Sequence, residues 1–137
     1  MNRIAATLIA ALIASPALAE GDAAKGEKEF NKCRSCHEIV SDAGEVIVKG
    51  GKTGPNLFGA PGRKAGSVEG FNYGADLVAA GEAGLVWDEE SFAAYTHDPT
   101  GFLKEHTGNS KAKAKMTFKL KSGGEDIYAY LVSLGSK

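Results

Sequence analysis

Near the end of the chain, Ile127, Tyr130, Leu131 and Leu134 recur at i, i+3, i+4 and i+7, the spacing of one face of an α-helix. Ser122-Gly-Gly-Glu125 precedes that stripe and reads as a capping box, and Gly135 follows it as a stop. A second apolar face lies toward the other end. Asp22 is placed to cap a helix running to about Cys33, with Gly26 and Phe30 four apart on one side. These two helices are expected to pack on each other, glycine allowing close backbone approach. Between them, Leu77 to Ala80 reads as a short helix ended by Gly81. Asp88 is expected to cap another that carries Phe92 and Tyr95 at i and i+3. Asp98-Pro99 opens a further one, with proline in its favoured first position. From Glu38 to about Gly74 no period is sustained, and glycine recurs at 44, 50, 51, 54, 59, 62, 66 and 70. That stretch is expected to be a long loop region with a turn of helix. The pattern as a whole predicts an all-α chain.

The first residues follow a different plan. Arg3 is succeeded by an almost uninterrupted apolar run from Ile4 to Ala14, broken by Ser15-Pro16, and then by the small-x-small triplet Ala17-Leu18-Ala19. This is the layout of a secretory signal peptide, residues 1–19, cut after Ala19. As a membrane anchor the run is well short of the roughly 20 apolar residues needed to cross a bilayer, so no membrane span is expected. Residues 20–137 then form one small domain with no linker or internal repeat. A domain of this size buries a modest fraction of its surface and gains from any extra apolar body in its core. The chain holds 16 basic and 17 acidic residues, and loss of Arg3 with the leader brings the net charge to −2. That balance gives no reason to expect nucleic acid or an anionic membrane as partner.

Chemistry enters at Cys33-Arg34-Ser35-Cys36-His37. C-x-x-C-H is the attachment signature of a c-type haem. Two thiols on one turn can add to the two vinyl groups of a single porphyrin edge, and the next histidine then lies under the iron as a ligand. The alternatives fit less well. These are the only two cysteines, and structural zinc needs four protein ligands. A redox C-x-x-C of the thioredoxin kind requires a strand before it and a helix after it, whereas here a helical pattern runs into a glycine-rich loop. A disulfide at this spacing closes a very small loop and stabilises little. The glycine-rich stretch after the motif suits a segment lying against a flat cofactor.

A second iron ligand has three candidates. Once the initiator is discounted, Met116 is the only methionine, in a loop ahead of the last helix where the chain can fold over the face opposite His37. A lone methionine usually packs in a core, but Met116 has Lys111, Lys113 and Lys115 as neighbours, an odd setting for that role. His97 reads as a surface residue beside Asp98, and His106 lies in a polar segment. Haem-ligand chemistry favours Met116. With both axial positions filled, the iron suits one-electron transfer and not bond-making chemistry.

Taken in order, the landmarks Gly26…Phe30, Cys33-x-x-Cys36-His37, Thr53-Gly54-Pro55-Asn56-Leu57, Gly62-Arg63-Lys64, Gly70-Phe71-x-Tyr73, Trp87, Tyr95-x-x-Asp98-Pro99, Met116 and Glu125-Asp126-x-x-x-Tyr130-Leu131 resemble the class I c-type cytochromes, and more narrowly the bacterial cytochromes c2. They span nearly all of residues 20–137. The segments His37 to Pro55 and Pro99 to Met116 are longer than in the short mitochondrial type, as is usual in the larger members. The resemblance implies a single-domain cytochrome c fold wrapped around one haem c, bound through Cys33 and Cys36 with His37 and Met116 on the iron. It also implies that the Pro55 carbonyl accepts a hydrogen bond from the His37 ring. Arg63, Tyr73 and Trp87 would hold the haem propionates, and Tyr95 would place its hydroxyl near the Met116 sulfur. For the aromatic residues, ordinary core packing with a satisfied polar end is compatible with those roles. One departure stands out: relatives commonly carry threonine two residues before the ligand methionine, and here that residue is Ala114.

The function implied is that of a diffusible periplasmic electron carrier, monomeric and not an enzyme. It would take electrons from a cytochrome bc1 complex and deliver them to a photosynthetic reaction centre or a cytochrome oxidase. Lys28, Lys32, Lys52, Lys113, Lys115 and Lys119 flank the haem-bearing segments, while acids gather in Glu82 to Glu90. Singly these are solvated surface charges; together they resemble a positive ring that steers encounter with acidic partners. The competing reading is a haem enzyme or gas sensor with Met116 displaced, though no distal base or catalytic constellation supports it.

Overall fold

The first and last helices cross at a glycine. A computed structural model of the chain describes residues 21–135; the leader expected at 1–19 lies outside them. Helix α1 (Ala23–Glu29) continues into a 3-10 turn, Phe30–Lys32, and ends at Cys33. Helix α5 spans Gly124–Ser133. A Cβ at Gly26 would collide with the Asp126 carbonyl, so only glycine allows this approach. Phe30 meets Tyr130 with ring centroids 6.1 Å apart, and Phe30, Ile127 and Leu131 are fully buried. Each such side chain contributes about 1.5–3 kcal/mol by its removal from water. Asp22 caps α1, its carboxylate accepting from the N–H groups of Ala24 and Lys25.

Three further helices follow, α2 (Ala75–Glu82), α3 (Glu89–His97) and α4 (Pro99–Thr107): α3 packs on α5, α4 on α3, and α2 on α4. Asp88 forms a reciprocal capping box with Ser91 at the start of α3. Asp98 then caps α4 through the Gly101 N–H, with Pro99 in the first turn. The fold class is all-α with a small hairpin, β1 (Ile39–Val40) and β2 (Val46–Val48), paired antiparallel as Ile39 with Val48 and Val40 with Val46. A second short antiparallel pairing sets Lys64 opposite Val86: the Trp87 N–H donates to the Arg63 carbonyl at 3.0 Å and the Ala65 N–H to the Leu85 carbonyl at 2.9 Å, and beside it the Gly62 N–H donates to the Trp87 carbonyl at 2.8 Å.

Three local expectations require correction. The 38–74 stretch holds the hairpin and no turn of helix, because Val46-Ile47-Val48 favours extended backbone and Gly44, at φ 83°, supplies the reversal. Gly81 does not end α2; it lies inside it, where a Cβ would strike the Ala65 carbonyl, and the helix runs on to Glu82. Ser122 is not the cap of α5. Gly123 takes that place at φ 92°, and no side chain caps the helix. Gly135, at φ 105°, does follow the helix end.

Candidate functional site

The elements enclose a cavity of about 360 Å³ whose wall carries Cys33, Cys36 and His37 together with Met116. Most of the lining is apolar, with Leu77, Phe92 and Ile127 among the contributors. The C-x-x-C-H turn is shaped by its own backbone: the Cys36 and His37 N–H groups both donate to the Cys33 carbonyl, at 3.1 and 2.9 Å. Burial pushes the Cys33 thiol up to about 11. Cys36 is exposed, and hydrogen bonds from the hydroxyls of Thr53 and Ser35 lower its pKa. As thioethers neither sulfur carries a titratable proton.

His37 is held on both sides. Its Nδ1 lies 2.8 Å from the Pro55 carbonyl and donates to it, which leaves Nε2 as the free nitrogen of the ring. Desolvation lowers the pKa of the imidazole, the Pro55 bond opposing, so the neutral, ligating form is favoured. Gly54 lies flat against the ring; a Cβ there would come within 2.6 Å of Nδ1. The Gly54 N–H donates to the Cys36 carbonyl at 2.7 Å. Asn56 ties this loop to β1: its amide donates to the Val40 carbonyl at 2.8 Å, and its oxygen accepts from the N–H groups of Val40 and Phe58. The sequence shows no sign of this tie, because Val40 lies 16 residues from Asn56.

The polar side chains expected around a haem gather at the same cavity. Arg63 donates through Nη1 to the Phe58 carbonyl at 3.0 Å and through Nη2 to the Asn56 carbonyl at 3.3 Å, with donors to spare. The Tyr73 hydroxyl oxygen accepts from the Val68 N–H at 3.1 Å, so its proton remains free to donate. Trp87 is steered by the Arg63 pairing and by the Tyr128 hydroxyl, which donates to its carbonyl at 3.2 Å. Tyr95 packs on Trp87 with centroids 5.0 Å apart. Its hydroxyl is pushed up to about 12 by burial, then by Tyr73, and is therefore a proton donor across the neutral range. Arg63, Tyr73, Trp87 and Tyr95 all line the cavity.

His97 and His106 do not line it. Both are exposed; His97 Nδ1 lies 3.1 Å from the Leu120 carbonyl, and His106 stacks on Phe102 with centroids 5.3 Å apart. Among the described residues no group of three or more His, Cys, Asp or Glu could hold a bare metal ion. The donor set is one imidazole nitrogen, one thioether and two thiols beside an apolar slot. That chemistry fits iron carried by a tethered porphyrin.

Relatives supply the family. A cytochrome c-551 from Roseobacter denitrificans is 61% identical over 135 residues, covering 98% of this chain and 96% of its own. The chain belongs to the cytochrome c2 family. A cytochrome c2 from Rhodobacter capsulatus is 55% identical over 130 residues, covering 95% and 94% of the two chains. The solved structure of cytochrome c2 from that organism superposes with a TM-score of 0.81 at 56% identity, over 83% of this chain and 98% of the other. The cytochrome c2 of Rhodobacter sphaeroides gives 0.82 at 51%, over 86% and 99%. No family model matches the chain. As a cytochrome c2 family member, it has the class I cytochrome c fold, carries one covalent haem c on Cys33 and Cys36, and is an electron carrier.

Proposed function

We propose that the chain is a periplasmic one-electron carrier in which His37 and Met116 are the two axial ligands of the haem iron. Its electrons would come from a cytochrome bc1 complex and pass to a photosynthetic reaction centre or a terminal oxidase. The observation that carries the ligand assignment is the shared cavity. His37, with Nδ1 engaged by Pro55, and Met116, the only methionine among the described residues, line it together. The haem supplies a one-electron iron couple; the protein fixes its ligands, its dielectric and its exposed edge.

Each residue has a physical task in that scheme. Pro55 makes His37 a stronger donor by accepting its Nδ1 proton. A thioether is a soft ligand that favours ferrous iron, so Met116 raises the potential above that of a bis-histidine site. The apolar lining disfavours the extra charge of the ferric state and acts in the same direction. Arg63, Tyr73 and Trp87 offer cation, hydroxyl and indole donors to the propionates. Lys32 and Lys115 line the same cavity, and exposed Phe118 adds an apolar contact there. Acidic partners would be steered to that face and bound weakly, as a shuttle requires. Cleavage after Ala19 and release to the periplasm complete the reading. Among the described residues no helix is long and apolar enough to cross a membrane.

Carbon monoxide tests the assignment, because it binds ferrous iron only where an axial position is open. The reduced protein is expected to stay unliganded at neutral pH. Met116→Leu is expected to bind carbon monoxide rapidly, to lose the sulfur-to-iron charge-transfer band and to show a lower potential. Rapid, complete binding by the unaltered protein would point to the enzyme or sensor reading instead. An unchanged spectrum and potential in Met116→Leu would remove that residue from the iron.

A further inference from the structure

The segment that delivers Met116 has no sheet partner, yet two successive N–H groups in it are satisfied by side chains from two different helices. The Lys113 N–H donates to Asp76 Oδ2 of α2 at 2.9 Å. The Ala114 N–H donates to Thr100 Oγ1 of α4 at 3.1 Å. One residue further, the Lys115 ammonium donates to the Asn72 carbonyl at 3.0 Å. Gly74 lies under the same lysine; a Cβ there would come within 3.3 Å of Lys115 Cγ. Ala112, just before these contacts, is fully buried.

We propose that Asp76 and Thr100 are positioning residues that clamp the 113–116 segment and so hold the Met116 sulfur at the iron. The proposal rests on Met116 being the distal ligand. The two successive N–H groups are held by acceptors on two different helices, which fixes both the position and the rotation of the segment. A single acceptor would leave the segment free to turn about one bond. Helices α2 and α4 pack against each other, which makes the two acceptors one rigid fixture. Asp76 lies in the first turn of α2 behind Gly74, an N-cap with no side-chain bond. Thr100 lies in the first turn of α4, behind Pro99, which has no N–H of its own to satisfy. Position 114 is an alanine and has no hydroxyl with which to anchor itself, and Thr100 supplies one from outside.

Ligand exchange on the mature ferric holoprotein reads the clamp directly, since added imidazole binds only when Met116 leaves. Thr100→Val leaves the part-buried Ala114 N–H unpaired and is expected to raise imidazole affinity roughly tenfold. Asp76→Ala is expected to act in the same direction and less strongly, its bond being more exposed. Thr100→Ser and Asp76→Asn keep an acceptor and are expected to bind imidazole as the unaltered protein does. Leu131→Val, fully buried in α5 and outside the cavity wall, serves as the control for general loosening; it is expected to lower the denaturation midpoint without changing imidazole affinity. Unaltered affinity in both folded Thr100→Val and folded Asp76→Ala overturns the clamp. So does an equal rise in Thr100→Ser, which would make the effect one of packing. If Thr100→Val fails to mature, Asp76→Ala and its Asn counterpart decide alone. The ligand assignment fails separately: a starting protein with no sulfur-to-iron charge-transfer band lacks Met116 on the iron whatever the variants do.

Discussion

Gly54 matters for the side chain it lacks. Its α-carbon lies against the imidazole of His37, and its N–H is bonded to the Cys36 carbonyl, so the backbone cannot retreat without breaking the haem-binding turn. Gly54→Ala therefore drives a methyl group into a ring that is itself fixed by Pro55. Overpacking of this kind costs about 1–3 kcal/mol where neighbours can yield. The holoprotein of that variant is expected to lose stability at the upper end of that range, read from its denaturant midpoint. Its haem spectrum is expected to show disturbed histidine ligation. A midpoint and spectrum equal to those of the parent would mean that the ring has room to move. His37 and the cysteines were legible in the sequence because a local motif encodes them. Gly54 and Asn56 act through neighbours distant along the chain, and no local pattern signals that.

Helix starts show how far local chemistry carries. Asp22 and Asp88 were expected to cap helices and Asp98-Pro99 to open one, and all three aspartates cap with their own carboxylates accepting backbone N–H groups. Caps are local interactions, so spacing alone reveals them. Ser122 failed as a cap because Gly123 turns the chain through a left-handed residue, and Gly124 must then pass close to Ala93 of α3. Tertiary approach overrode the local motif there, as it did at Gly81. The Asp88 cap also carries a pH dependence. The Ser91 backbone and hydroxyl bonds hold the Asp88 carboxyl below its ordinary value. A depressed folded-state pKa gives a contribution that is present above the ordinary carboxylate range and lost as pH falls through the folded value. Asp88→Ala is expected to cost about 1 kcal/mol at neutral pH and less in acid. Asp88→Asn keeps an acceptor, and is expected to cost little at neutral pH and to flatten the acid limb of the stability curve. Denaturant midpoints at neutral and acidic pH check both; equal losses for Ala at the two pH values would show that the carboxylate charge adds nothing.

At the scale of the molecule, the cavity decides whether the chain folds at all. It is bounded by segments distant along the chain, from Cys33 beside α1 through the 53–63 loop and α3 to Ile127 of α5. The helices thus meet each other only in part and meet the haem for the rest. Loss of the haem would strip the walls of this cavity of about 360 Å³ of their apolar contacts and admit water to them. Small domains have a net stability of only about 5–15 kcal/mol. The side chains that remain are a weak substitute: the most extensive helix contact, α1 on α5, involves only two short helices, and Ile127 of that contact itself lines the cavity. Isolated helices of 7 and 10 residues lie below the length that is stable in water. Replacing both attachment cysteines, Cys33→Ala with Cys36→Ala, and removing any loosely held haem is expected to leave a chain with weak far-ultraviolet helical signal and no cooperative thermal transition. The tethered holoprotein is expected to melt in a single cooperative step. A cooperative transition in the haem-free variant would show instead that the polypeptide alone holds the fold, and that haem is a guest in a preformed cavity.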